Sequence, residues 1–129
     1  MNQSLILSFF LVHTILSLKT TFESDFESSY KVEHIKDGDG ETYPQKKDFV
    51  SINYRGISKD GRVFDRNKDG PKTIMIGVGQ VNRCWDNTIM RMSLGEKIKV
   101  VCPAKDFYYK ADQSFEFELV KIEQYDEDL

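Results

Sequence analysis

The sequence predicts an α+β domain in which an antiparallel sheet of about five strands packs against one short helix. Three observations carry this. Several segments alternate apolar and polar residues with the period of two of a half-buried strand, and turn residues separate them. A single run, QVNRCWDNTIMRMSLGEK at residues 80–97, has helical spacing instead, with Trp85, Ile89 and Met92 at i, i+4 and i+7. Composition supports one globular domain plus an appendage: 129 residues, 40% hydrophobic and 12% aromatic, enough for a core without metal or disulfide support.

The elements follow in chain order. Residues 4–18, SLILSFFLVHTILSL, are an apolar run of fifteen residues. That is short for a membrane span, which needs about 20. The expected segment is a secretory signal peptide over residues 1–20, against a signal anchor or a buried helix as alternatives. Processing would leave a chain beginning near residues 19–22, in the endoplasmic reticulum lumen or secreted. Residues 21–30 are polar and acidic and read as a flexible lead-in to a domain over residues 31–124. In DFVSINY, residues 48–54, Val50, Ile52 and Tyr54 share one face of a strand. Asp60-Gly61 makes a turn, and Arg62 to Asp65 resumes the chain. Lys72 to Ile76 is a short strand with Ile74 and Ile76 inward. The helix comes next, ended by Ser93-Leu94-Gly95, so it has two or three turns. Glu96 to Cys102 and Ser114 to Leu119 alternate strictly as the closing strands. Residues 125–129, YDEDL, form an acidic tail that does not match an endoplasmic-reticulum retention signal.

Residue counts exclude several chemistries. Net charge is −3 with lysines and arginines scattered, which lacks the basic stripe that nucleic acid requires. His13 and His34 are the only histidines, and the first lies in the expected signal segment. Zinc ligation and Ser-His or Cys-His catalysis are therefore excluded from the domain. Asp65-Arg66-Asn67-Lys68-Asp69-Gly70 fits half of a calcium-binding EF-hand loop, D-x-N-x-D-G. Its twelfth position is Ile76 rather than a bidentate glutamate, and its flanks read as strands, so a solvated turn is expected. Cys84 and Cys102 would meet an oxidising compartment, but spacing cannot pair them. Cys102 points inward with Ile98 and Val100, and a buried thiol without an obligatory bridge is expected there.

Four segments in order resemble one known family. KDGDGETYPQKKDFVSINYRG carries a Gly-Asp-Gly turn, a Thr-aromatic-Pro step and a Tyr-x-Gly strand end. ISKDGRVFD has the "DG…FD" pattern, VNRCWDNTIMRMSLGEK the helix with its tryptophan, and FEFELVKIE the closing strand. From about Val32 to Glu123 the chain resembles the FKBP-type peptidyl-prolyl cis-trans isomerases, the rapamycin-binding immunophilins. The resemblance implies a strongly twisted antiparallel sheet wrapped around the helix, with a proline pocket between them floored by Trp85. By motif, the pocket walls would be Tyr54, Phe64, Asp65, Ile74, Val81 and Phe115. The backbone N–H of Asn82 would donate to the substrate carbonyl. Tyr109, in DFYYK, would supply a hydroxyl, with Tyr108 beside it as the alternative.

The implied activity is isomerisation of X–Pro bonds without cofactor or metal, with Tyr54, Asp65, Trp85 and Tyr109 carrying it. Implied ligands are proline-containing polypeptides and rapamycin-type macrolides, bound by a monomer. Some departures from the family point to low activity. Only residues 110–114 bridge Tyr109 to Phe115, where the family carries a long apolar flap. Lys72 stands where the family often has an apolar or aromatic residue, and Asn82 where it usually has isoleucine. Cys84 replaces a glycine. A non-catalytic module that binds prolyl segments is the competing reading.

Overall fold

A computed structural model describes residues 30–106 and 111–127. The expected signal segment, nearly all of the lead-in, and Tyr108 and Tyr109 lie outside the described residues. Among those described, no helix is long and apolar enough to cross a membrane.

The strands expected from the sequence are all present, and there are six among the described residues rather than about five. They are β1 (Lys31–Lys36), β2 (Phe49–Ile57), β3 (Val63–Arg66), β4 (Lys72–Met75), β5 (Lys97–Cys102) and β6 (Gln113–Glu123). The helix α1 (Arg83–Ile89) lies between β4 and β5, and a 3-10 turn at Ala104–Asp106 follows β5. The sheet order is β1-β5-β6-β2-β3, and β4 also pairs with β2. β2 pairs with β6 on one edge; on the other it takes β4 beside residues 49–52 and β3 beside residues 55–57. The sixth strand is β1, an edge strand beside β5 that sequence alternation does not mark, because nearly all of its residues are exposed.

Asn67 closes the gap between them. Its Oδ1 accepts the Tyr54 N–H at 2.8 Å, and its Nδ2 donates to the Asn53 Oδ1 at 3.0 Å and the Gly70 carbonyl at 2.9 Å. The side-chain amide thus replaces a missing ladder residue, and the D-x-N-x-D-G segment is a strand-to-strand turn.

The inward residues form one core. Val50, Ile52, Ile74, Ile76, Ile98, Val100, Cys102, Phe115, Phe117 and Leu119 line the buried face of the sheet, and Cys84, Trp85 and Ile89 of α1 complete it with Met92. Cys102 points inward as expected, but not as a thiol. It is joined to Cys84 by a disulfide with Cα atoms 5.7 Å apart, within the usual 4.4–6.8 Å. The expectation of an unbridged pair fails because the fold seats α1 across the end of β5. Sequence spacing of 18 residues carries no information about that approach.

Candidate functional site

Trp85 sits at the centre of an aromatic cup. Its ring centroid lies 4.9 Å from Tyr54, 5.3 Å from Phe115 and 5.0 Å from Phe117, each in an edge-to-face arrangement. Phe115 and Phe117 stack at 6.1 Å because alternation puts both on the core face of β6. Edge-to-face pairs contribute about 0.5–1.5 kcal/mol each beyond area burial, so the cup is rigid as well as apolar. The indole Nε1 is buried without a hydrogen-bond partner among the described residues. A buried donor without a partner costs about 1–3 kcal/mol.

Phe64 reaches the cup through a β-bulge. Gly56 pairs with Asp65 and Ile57 with Val63, leaving Phe64 as the extra residue on β3. The bulge swings its ring to 5.8 Å from Phe115. Gly56 makes this approach feasible, because a Cβ there would lie 2.5 Å from the ring's Cζ. Phe64 remains 41% exposed, as a wall at the mouth would.

The next residue, Asp65, accepts a hydrogen bond from the Tyr54 hydroxyl at 3.3 Å. Burial, then the charge of Asp65 and this hydrogen bond, raise the Tyr54 pKa above its ordinary value. The phenol therefore stays protonated through neutral pH, as a donor on the rim. Lys72, at the start of β4, places its Nζ 5.8 Å from the Tyr54 ring centroid, a cation–π contact.

The helix is placed by its entry loop. Asn82 is the N-cap: its side chain accepts the Trp85 N–H at 3.0 Å. That gives a physical reason for asparagine where the resemblance leads one to expect isoleucine. The Asn82 backbone N–H has no acceptor among the described residues, so it is available as a donor. Asp86, nearly buried, accepts the Gly77 N–H at 2.8 Å and the Gly79 N–H at 2.9 Å. Gly77 takes φ 78°, and a Cβ there would meet the Met90 sulfur at 2.9 Å. The loop carrying Val81 and Asn82 is thus pinned to the helix that carries Trp85.

Of the residues singled out from sequence, Tyr54, Phe64, Asp65, Trp85 and Phe115 are linked by direct contacts. Ile74 is buried in the core beside them, and Val81 and Asn82 are half-buried at the start of α1. Tyr109 lies outside the described residues. Phe117, Asn67 and Asp86 belong to the site's construction and were missed. Phe117 was legible, since FEF alternation puts it on the same face as Phe115. Asn67 and Asp86 bond to backbone that only the fold brings near. Among the described residues, no group of three His, Cys, Asp or Glu side chains is placed to hold a metal ion.

Comparison with known proteins gives the family. The family model for FKBP-type peptidyl-prolyl cis-trans isomerases matches residues 40–121, which hold every described site residue. The chain is 39% identical over 105 residues to FK506-binding protein 1A of Emericella nidulans, covering 71% of this chain and 96% of that protein. It is 36% identical over 104 residues to FK506-binding protein 1 of Rhizopus delemar, covering 70% and 95%. It is 33% identical over 102 residues to the peptidyl-prolyl cis-trans isomerase Fkbp12 of Drosophila melanogaster, covering 69% and 94%. This chain belongs to the FKBP-type peptidyl-prolyl cis-trans isomerase family.

Proposed function

We propose that the chain isomerises X–Pro bonds of polypeptides folding in the secretory pathway, at a rate below that of family members with a long flap. The aromatic cup on Trp85 is the observation that carries this reading. The barrier, about 18–20 kcal/mol for a peptide bond, reflects amide resonance lost at the twisted transition state. No bond is made or broken, so no nucleophile is needed. An apolar cup strips water from the amide, which is less polar when twisted than when planar. The Tyr54 hydroxyl and the Asn82 N–H then act as fixed donors that favour the twisted form over either planar state. Uncatalysed exchange takes about 10–100 s, slow enough for a folding chain to benefit.

The Cys84–Cys102 bond supports an oxidising compartment, in line with the apolar N-terminal run. The short connection between β5 and β6, residues 103–112, supports the low rate. Its described ends are tied together by the Ala104 N–H donating to Asp112 Oδ1 at 3.0 Å. Rapamycin-type macrolides should occupy the same cup with reduced affinity, for the same lack of cover. A non-catalytic prolyl-binding module is favoured by the same departures, the short connection, Lys72 and Asn82.

Trp85 is the only tryptophan, so its fluorescence reports the site alone. Titration with a Leu-Pro peptide should change the emission saturably, and a matched Leu-Ala peptide should not. An identical response to both peptides, or none to either, would refute the placement of the proline on Trp85.

A further inference from the structure

Lys72 is the least explained residue of the rim. It opens β4 opposite Ile52, is exposed, and holds its ammonium over the Tyr54 ring, one ring removed from the indole. Asp65 lies at the hydroxyl end of the same tyrosine. Tyr54 therefore has a carboxylate at its tip and a cation on its face, so the rim has a defined polarity. Among the described residues no carboxylate lies within 4.0 Å of the Lys72 ammonium, and the same holds for Arg66 and Lys68. The segment Arg66 to Lys72, RNKDGPK, carries three cations and one carboxylate in a chain whose net charge is −3. Asn67 fixes this turn through its bonds to Tyr54 and Gly70, so the cations stand on an ordered loop.

We propose that Lys72 is a specificity-determining residue that favours X–Pro segments carrying a carboxylate side chain, Asp or Glu, on a residue flanking the proline. This rests on the isomerase reading above and names its substrate class. A residue spans about 3.3–3.6 Å of extended chain, so a glutamate next to a proline on Trp85 reaches across one ring to the ammonium. Asp65 repels that carboxylate from the hydroxyl end and leaves Lys72 as the favourable side. An apolar residue in place of Lys72 would give more cover to neutral substrates and no such preference. Lys72 thus contributes both to the low rate expected with neutral peptides and to the preference for acidic ones.

The test compares kcat/KM for peptides containing Glu-Pro, Gln-Pro, Pro-Glu and Pro-Gln, which differ in charge at matched size. At low ionic strength the native protein should favour Glu over Gln by about three- to fivefold in at least one order, the scale of an exposed ion pair. The ratio should fall to about one in Lys72→Met, and also in about 1 M salt, where the Debye length is ~3 Å. Lys99→Met, on the opposite face of β5 from the buried Ile98 and Val100, should retain it. A native ratio near one in both orders, or a ratio that Lys72→Met leaves unchanged, would overturn the proposal. If no peptide in the series is turned over, the isomerase reading fails separately. The same ratios are then read as affinities from Trp85 fluorescence, with the same expectation and the same contrary result.

Discussion

Phe64 reaches Phe115 because two local departures from regular strand geometry coincide, a bulge on β3 and a missing Cβ on β2. Neither feature stabilises the sheet: a bulge leaves a residue unpaired, and glycine inside a strand costs roughly 0.5–1 kcal/mol relative to alanine. Their joint effect is to turn one aromatic ring into the mouth of the cup. Gly56→Ala therefore separates fold from function. The new methyl must displace the far end of the Phe64 ring, which is exposed enough to swing outward. Stability should change by less than about 1 kcal/mol, since easier strand formation offsets the crowding. The KM for a prolyl peptide should rise about three- to tenfold, from losing roughly 30–60 Å² of apolar contact at about 25 cal/mol per Å². Thermal melts and steady-state kinetics on the same sample check this. An unchanged KM would remove Phe64 from the pocket wall.

Helix α1, seven residues, is far below the roughly 12–15 that an isolated helix needs for marginal stability. It persists through four attachments: the Asn82 cap, the Asp86 carboxylate on two loop N–H groups, burial of Trp85 and Ile89, and the disulfide to β5. Cross-linking a loop of this length contributes about 3 kcal/mol in the chain-entropy account. Each kcal/mol shifts the melting temperature of a domain of about 100 residues by roughly 4–8 °C. Full reduction should therefore lower Tm by about 12–24 °C, and alkylation of the unreduced, denatured protein should label neither cysteine. Labelling of both without reduction would contradict the bridge. The helix shows what sequence could and could not supply. Trp85 and Ile89 were legible because burial imposes a period on one element, and Met92 keeps that period just past the helix end. Asp86 and the Cys84 pairing were not, because each depends on a second segment brought near by the fold. Strand β3 behaves likewise: Arg62 to Asp65 read as strand, while the bulge that re-aims Phe64 is a property of its pairing with β2.

At the scale of the molecule, the proposed reading takes the floor and donors of a proline site from the sheet and helix, and its reduced cover from the ten-residue length of the β5–β6 connection. Losing about 60–100 Å² of apolar cover forfeits roughly 1.5–2.5 kcal/mol, or about one to two decades in rate or affinity. In the proposed reading Lys72 acts in the same direction for neutral substrates, since an ammonium at the rim holds water close to an amide that the cup should desolvate. The overall fold could be read from alternation, one helical run and ordered motifs. The balance between floor and cover could be read only as a difference in connection length, because alternation reports burial within an element and not cover over a site. The most direct measurement is catalysis of cis-to-trans exchange in a Leu-Pro peptide by the purified protein, beside a long-flap family member. A variant with a family-length flap and Lys72→Phe completes the set. The native protein should accelerate exchange measurably, at about one to two decades below the long-flap protein, and the variant should recover at least tenfold. Native activity equal to the long-flap protein, or no acceleration by either the native protein or the variant, would contradict the account.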